Sequence, residues 1–213
     1  PIATSPGRGG FGPQLSLSYD SGAGNGPFGL GWSLSLPSIS RKTEKGLPRY
    51  LDDTDSDTFL LAGAEDLVPL LDAQGHRPDD EDVQVYGDIY SVRRYRPRIE
   101  GLFARIERWT LKTAGGEVFW RTISRDNITS WFGRTPESRV LDPDAPDHIF
   151  QWWLCETYDD KGNIAVYRYK REDGRGVDRA QVFEANRPAR TQDAATYIER
   201  ILYGNRRPFM PTL

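Results

Sequence analysis

The chain has 213 residues, and its 28 basic and 31 acidic side chains give a formal net charge of −3. This balance argues against binding to nucleic acid or to an anionic membrane surface, both of which usually need a basic excess. No apolar run approaches the roughly 20 residues that a membrane-spanning helix needs. Cys155 is the only cysteine, so an intrachain disulfide cannot form.

A glycine-punctuated segment, residues 6–41, opens the chain and contains two strictly alternating stretches. Large apolar side chains alternate with polar ones in both stretches: Leu15, Leu17 and Tyr19 against Ser16, Ser18 and Asp20, then Trp32, Leu34 and Leu36 against Ser33 and Ser35. A period of two predicts half-buried antiparallel strands. The glycines supply the positive φ that sharp turns between such strands require.

Nine further segments, separated by turn residues, are predicted strands: 58–61, 83–86, 90–95, 105–112, 117–124, 128–132, 150–158, 164–170 and 197–203. Residues 113–116 predict a hairpin, and residues 171–174 predict another turn. No window has a sustained period of 3.6, and residues 191–195 form one helical turn at most. With 15 prolines and 21 glycines, the predicted fold class is all-β, made of antiparallel sheets and hairpins.

Two polar stretches rich in proline and aspartate, residues 72–82 and 137–147, predict surface loops. We treat residues 1–213 as one domain with a possible subdivision near 137–147. The chain starts at Pro1 in a strand-like segment, without an initiator methionine or a signal peptide. We therefore interpret it as part of a longer polypeptide.

Residues 158–163 read YDDKGN and are followed by a strand. Tyr158 would end one strand, Asp159 would open a tight turn, Gly162 would take the positive φ, and Asn163 would lead into the next strand. This pattern resembles a YD repeat of the Rhs family. Residues 197–205 (YIERILYGN) look like a second, degenerate unit, because no aspartate follows its first tyrosine. Such repeats stack on neighbours to bury their faces.

Charged residues also cluster in the middle of the chain. Four arginines, Arg93, Arg94, Arg96 and Arg98, follow soon after the acidic run at 79–82. Runs of charge are normally solvated surface, and we expect these two runs to compensate each other.

Two stretches match known binding motifs in part but lack a feature that binding requires. Residues 24–29 (GNGPFG) match the dinucleotide-binding pattern, but the following residues predict a strand where a helix N-terminus must hold the pyrophosphate. Asp53, Asp55 and Asp57 imitate the start of a calcium loop. Thr58 stands where that loop needs glycine and Ala64 where it needs glutamate, so a looser calcium site, with Asp52 as a further ligand, is the weaker alternative to an acidic hairpin tip.

Nucleophile and metal chemistry have few candidates. Cys155 follows His148 by seven residues, with Asp147 and Asp159 nearby, but its position in a strand favours a packed thiol. His76 lies in a polar loop, and two histidines with one cysteine cannot build an ordinary structural zinc site. We therefore predict no catalytic, cofactor-binding or metal-binding residues. A hydrolase would need a pocket with convergent titratable groups.

Tryptophans offer the alternative function. Trp109, Trp120, Trp131, Trp152 and Trp153 are suited either to a core or to a sugar-stacking platform. An exposed, coplanar row would favour a carbohydrate-binding or cell-surface-binding module. Burial between sheets would favour a scaffold.

Four stretches resemble the N-terminal SpvB-type domain found in the B component of Tc insecticidal toxin complexes: residues 6–41, 47–71 (LPRYLDDTDSDTFLLAGAEDLVPLL), 116–133 (GEVFWRTISRDNITSWFG) and the YDDKGN turn. They are spread along the chain from residue 6 to residue 163 in the expected order.

The resemblance implies a secreted bacterial toxin in which this domain opens a large β-rich shell around a toxic cargo. It implies that the partners are downstream propeller and Rhs-repeat segments of the same polypeptide and other toxin-complex subunits. Some members of the family end in an ADP-ribosyltransferase domain, but this chain has no convincing transferase signature. The resemblance thus implies a non-enzymatic scaffold without a cofactor.

Overall fold

A computed structural model describes residues 1–99, 101, 103–113, 116–178, 180–182 and 194–211. Its strands are β1 (Leu17–Tyr19), β2 (Asn25–Gly26), β3 (Gly29–Leu30), β4 (Trp32–Leu34), β5 (Ser38–Arg41), β6 (Phe59–Leu61), β7 (Glu65–Pro69) and β8 (Glu81–Val85). Then follow β9 (Asp88–Pro97), β10 (Arg105–Leu111), β11 (Val118–Ile123), β12 (Thr129–Phe132), β13 (Arg139–Asp142), β14 (Ala145–Tyr158), β15 (Ile164–Arg171) and β16 (Thr196–Leu202). Three short 3₁₀ turns lie at Arg8–Gly10, Asp52–Thr54 and Pro136–Ser138. All pairings between these strands are antiparallel, which confirms the predicted all-β class.

Eight strands of the main sheet close into a ring. They follow the order β12, β11, β10, β9, β7, β6, β5 and β14, and β14 pairs again with β12. The long strand β14 makes this closure possible: Trp152 pairs with Ile39 of β5, whereas Leu154 pairs with Phe132 of β12 beyond a bulge. Strands β8, β13, β15 and β16 extend the same sheet outside the ring.

Alternation along the ring strands separates two aromatic cores. The larger core takes side chains from all eight ring strands, so it fills the interior, and it continues onto β15 and β16. Trp120 and Trp152 are its largest members and are fully buried. The smaller core lies on the outer face of β9–β12 and β14, where Trp109, Trp131 and Tyr158 are covered by β8 and Phe209. Large aromatic side chains on both faces of a strand provide most of the apolar burial.

The first two predicted strands form a separate ribbon. Strands β1 and β4 pair in the register that places Tyr19 opposite Trp32 and Leu17 opposite Leu34. We name residues 15–36 the N-terminal arm. The predicted half-burial holds for Leu15, Leu34 and Leu36, which are partly buried, but Leu17, Tyr19 and Trp32 are more exposed than predicted, at 42%, 59% and 45%.

Several sequence predictions of local structure need correction. Residues 137–147 are not a loop: β13 and the first residues of β14 form a hairpin here, and strands from both sides of this stretch share the main sheet. Strands β5 and β7 were not predicted. Residues 114–115 of the predicted 113–116 turn lie outside the described residues, but β10 and β11 pair as a hairpin as expected. Of the possible helical turn at 191–195, residues 191–193 lie outside the described residues. Among the described residues, no helix is long and apolar enough to cross a membrane.

Candidate functional site

The YDDKGN turn is held by the carboxylate of Asp159. Strand β14 ends at Tyr158, and the Asp159 carboxylate accepts hydrogen bonds from the backbone N–H groups of Lys161 (3.0 Å) and Asn163 (2.8 Å). The Asn163 side-chain amide donates a third, at 2.7 Å. Partial burial raises the pKa of Asp159, but the bonds from Asn163 and Lys161 outweigh it and the pKa is lowered. An ionised carboxylate is therefore part of the turn.

Gly162 occupies the position in this turn that no other residue fits. Its φ is +76°, which strains residues with a Cβ. A Cβ there would also lie 2.9 Å from Cβ of Pro208. The Gly162 carbonyl accepts a bond from the backbone N–H of Phe209 (2.8 Å) and another from the side-chain amide of Asn205 (2.8 Å).

Segments from both ends of the described chain meet at this turn. From the N-terminal side, the Arg8 guanidinium donates to the side-chain oxygen of Asn163 (2.9 Å) and to the Gly162 carbonyl (3.3 Å). From the C-terminal side, Phe209 packs on Tyr158 with ring centroids 5.2 Å apart. The turn predicted from the YD pattern is thus a junction of three segments, and a cleft of about 520 Å³ lies beside it, bordered by Tyr158, the turn and residues 208–211.

The degenerate second unit also contributes to the junction. Gly204 has a φ of +72°, and Asn205, which follows it, accepts a bond from the backbone N–H of Ile164 (3.0 Å) and donates to Gly162. Asn205 thus ties the end of the second unit to the first residue of β15. The sequence similarity between the two units gave no indication of this contact.

One end of the ring interior holds a cluster of arginines and aspartates. Arg41, which is 2% exposed, binds Asp52 through two nitrogens (2.6 and 2.9 Å) and Asp57 through one (2.8 Å). Arg108 donates to the same Asp52 carboxylate, and Arg93 pairs with Asp55 at 2.8 Å. We name these residues the arginine–aspartate cluster. The sequence showed the aspartates but not their arginine partners.

Guanidinium groups therefore occupy the place that the calcium alternative assigns to a metal ion. Burial raises the pKa of Asp52, but the bond from Arg41 and the charges of Arg108, Arg41 and Arg93 exceed this effect, so the pKa is lowered. Burial likewise raises the pKa of Asp57, but hydrogen bonds from the backbone N–H groups of Arg49 and Tyr50, together with Arg41, lower it overall. Asp53, the remaining member of the proposed set, lies in the 3₁₀ turn Asp52–Thr54. No cluster of metal-binding side chains occurs within the described ranges.

The second charged region is partly buried. Arg93 binds Asp80 at 2.9 Å, and Arg94 binds Glu81 at 3.0 Å. Arg93 and Arg94 thus pair with the acidic run as expected, but Arg98 pairs with Asp66, and the largely buried Arg93 side chain is not solvated surface. The sequence likewise did not indicate Glu107, which is fully buried and accepts bonds from Arg121 (2.7 Å) and from the Trp109 indole (3.0 Å).

Cys155 and His148 do not form a catalytic pair. Both lie in β14, where a separation of seven residues corresponds to about 20 Å. The Cys155 thiol is buried and donates to the Trp131 carbonyl at 3.2 Å. Burial raises its pKa, which opposes thiolate formation. His148 stacks on Tyr50 with ring centroids 4.4 Å apart, and His76 is exposed in its loop.

The remaining sequence motifs are structural as well. Residues 24–29 form a small hairpin of β2 and β3, and β4 follows it, so this glycine loop precedes a strand and no helix. Trp109, Trp120, Trp131 and Trp152 are buried in the two cores. The five tryptophans proposed as a sugar platform therefore do not form an exposed row.

These observations define a class: a closed antiparallel sheet whose buried charged and aromatic side chains are engaged in internal contacts. The chain belongs to the SpvB family, described as Salmonella virulence plasmid 65kDa B protein, whose model matches residues 1–212. It is 38% identical over 204 residues to Mono(ADP-ribosyl)transferase SpvB of Salmonella typhimurium, a match that covers 93% of this chain and 33% of that protein. The chain thus spans about a third of the length of the curated relatives it matches.

Solved structures share the fold over nearly the whole chain. The N-terminal domain of effector protein SpvB from Salmonella typhimurium strain LT2 is 38% identical with a TM-score of 0.80, over 93% of this chain and 61% of that one. The structure of TcdB2-TccC3-TEV is 32% identical with a TM-score of 0.84, over 100% of this chain and 10% of that one. The predicted likeness to SpvB-type and Tc toxin domains is confirmed.

Proposed function

We propose that this chain is a non-enzymatic structural domain of a secreted bacterial toxin and forms part of a β-rich shell that encloses a toxic cargo. The observation that supports it most directly is the likeness to TcdB2-TccC3-TEV. The matched region is 100% of this chain and only 10% of the larger chain. The match to a tenth of a much longer chain supports partners within one polypeptide, and we propose that these are the downstream propeller and Rhs-repeat segments that the resemblance implies, together with other toxin-complex subunits.

The chemistry of the described residues supports a structural role. The Asp52 and Asp57 carboxylates bind arginine, the Asp159 carboxylate holds a turn, and the Cys155 thiol lies in a core. Transferase activity is in the name of the Salmonella relatives, of which this chain matches a third. We assign that activity to parts of the relatives outside the match and propose none for this chain.

Two experiments test the proposal. In the first, this chain replaces the matching segment of TcdB2-TccC3, with which it is 33% identical over 97% of its length. We expect the chimera to assemble and to protect its interior from added protease as the parent does. A chimera whose exchanged domain folds but whose interior is digested would contradict the proposal.

The second experiment measures transfer of labelled ADP-ribose from NAD to proteins of a host-cell lysate. We expect no label with this chain and strong labelling with full-length SpvB as the positive control. Labelling by this chain above a boiled sample would contradict the non-enzymatic assignment.

A further inference from the structure

The N-terminal arm has two faces of opposite character. On one face, Leu17 pairs with Leu34 and Tyr19 with Trp32, and the Tyr19 and Trp32 rings lie 5.3 Å apart. On the other face, the hydroxyl groups of Ser18 and Ser33 are 2.9 Å apart, and Ser16 donates to Ser35 at the same distance. The serine face is suited to water. On the apolar face Leu17, Tyr19 and Trp32 are exposed whereas Leu34 is partly buried, and Phe28 and Leu30 near the tip are exposed as well.

The arm has support at its base, where the Ile2 N–H donates to the Leu15 carbonyl and Leu36 packs on the main core, but no third strand covers β1 and β4 among the described residues. Within the described residues, β1 pairs with β4 alone and β2 with β3 alone. A two-stranded ribbon is at best marginally stable in water and gains stability when a third layer covers its apolar face. Contiguous exposed apolar surface of this kind marks an interaction site.

The charge pattern limits the chemistry of the occupant. Residues 9–40 carry one charged side chain, Asp20, in a chain that is 28% charged. An anionic membrane or a nucleic acid would be matched by basic residues. An uncharged, largely apolar protein surface fits this segment.

We infer that the apolar face of the N-terminal arm docks on an uncharged sheet surface of the same polypeptide, outside the residues described here. This inference rests on the proposed function, in which the chain is one part of a much longer protein. Its support is length: in TcdB2-TccC3-TEV the matching segment, which includes the whole arm, accounts for 10% of the chain. Nine-tenths of such a polypeptide is therefore available to cover the arm.

Thiol labelling in the full-length polypeptide tests the inference. Trp32→Cys places a thiol on the apolar face, and Ser33→Cys places one on the serine face of the same strand as a matched control. Cys155, the native cysteine of this chain, is buried, and peptide mass mapping assigns each label. We expect the Trp32→Cys thiol to react with maleimide at least about tenfold more slowly than the Ser33→Cys thiol when folded, and at the same rate in denaturant.

Each other outcome contradicts the inference in its own way. Equal rates in the folded protein would mean that nothing covers the arm. Protection that is lost on dilution would identify a second copy as the occupant, and protection that appears only with lipid vesicles would identify a membrane.

Protease resistance of the shell, measured on the same samples, separates this inference from the proposed function. A resistant shell with an unprotected arm would contradict only the docking. A protected arm in a polypeptide without a resistant shell would contradict only the proposed function.

Discussion

Single residues decide whether the YD turn can form. Gly162 combines a positive φ with close contact to Pro208, whereas Gly63 has nearly the same φ, +72°, and no atom within 4 Å of an added Cβ. We expect Gly63→Ala to cost about 1 kcal/mol of unfolding free energy from backbone strain alone. Gly162→Ala adds a contact that residues 208–209 must relieve, so we expect a total of about 2–4 kcal/mol.

Chemical denaturation of both variants checks this prediction. The Gly63→Ala variant is the matched control, because it carries the same strain in open space. Equal losses in the two variants would show that the C-terminal segment does not pack on the turn as described.

Glu156 is a residue whose environment opposes its charge. It faces a cleft of about 400 Å³ on the outer side of β14 and β15. Burial raises its pKa, and the positive charge of Arg134 offsets this only in part. When the pKa of a carboxyl group is higher in the folded state than in the unfolded state, ionisation of that group lowers the free energy of unfolding. This loss is fully present at neutral pH and disappears as the pH falls below the pKa of the unfolded state.

We therefore expect Glu156→Gln to raise the melting temperature at pH 7 and to leave it unchanged near pH 4. Thermal unfolding at a series of pH values measures the effect, with Glu199→Gln on the exposed side of β16 as the control. A Glu156→Gln variant that is less stable than the parent at pH 7 would mean that the carboxylate has a stabilising partner.

At the scale of elements, the loop between β5 and β6 is attached to the ring by charge. In this loop burial raises the pKa of Asp52 and Asp57, but arginine contacts at Asp52, and backbone N–H groups together with Arg41 at Asp57, outweigh it, so both pKa values are lowered. A lowered folded-state pKa stabilises the protein above the unfolded value of about 3.9. The stabilisation is lost as the pH falls through the folded-state values.

We expect the unfolding free energy to fall steeply below about pH 4 for this reason. Asp52→Asn should flatten that part of the pH profile and should cost about 3–5 kcal/mol at pH 7, because Arg41 and Arg108 would lose their shared carboxylate inside the ring. Addition of calcium should not restore the loss. If the Asp52→Asn variant had the stability of the parent and the same dependence of stability on pH, the arginine–aspartate cluster would not stabilise this fold.

The strands that could be predicted from the sequence are those whose own residues carry an alternating pattern or are bounded by turn residues. The alternation in β10 and β11 and the turn residues that bound β15 are local signals, and these strands lie within a residue or two of their predicted limits. Strand β5 reads Ser-Ile-Ser-Arg and has one apolar residue. Strand β7 begins with two acids and ends in proline. Their places in the ring come from long-range pairing, which a local pattern does not encode.

The candidate site was predictable to the same extent. Asp159, Gly162 and Asn163 interact within six residues, and the turn chemistry of those residue types indicates their roles. Arg8 lies 155 residues from Asn163, and Arg41 lies 108 residues from Ile149, whose carbonyl accepts its Nε bond. No spacing rule connects such residues. The aspartates of residues 52–57 were consequently compared with a calcium loop, because their partners are distant in sequence.

At the scale of the whole molecule, closure of the sheet divides the residues into those of the ring, which form the folding core, and those of the N-terminal arm, which we propose for docking. The ring has no open edge between β12 and β14, and its interior is filled by its own aromatic side chains. Trp152 is therefore part of the core of this chain, and no neighbouring segment is needed to explain its burial. The N-terminal arm contributes Leu36 to the edge of that core, whereas Leu17, Tyr19 and Trp32 are exposed.

This division predicts opposite results for the same substitution at two tryptophans. Trp152 is fully buried and its indole N–H donates to the Val118 carbonyl at 2.9 Å. Trp152→Lys would place an ammonium group in the closed interior, at a cost of several kcal/mol, a large part of the 5–15 kcal/mol by which domains are stable. We expect that variant of the 213-residue chain to be unfolded by circular dichroism and rapidly digested by protease.

Trp32→Lys, on the exposed face of the arm, should by contrast leave the melting temperature of the chain within about 2 °C of the parent, because surface substitutions change stability by about 0.5 kcal/mol or less. Equal destabilisation by the two substitutions would mean that the arm is part of the folding core. A folded Trp152→Lys variant would mean that the ring tolerates a charge in its interior, and the closed sheet would then not be what holds this domain together.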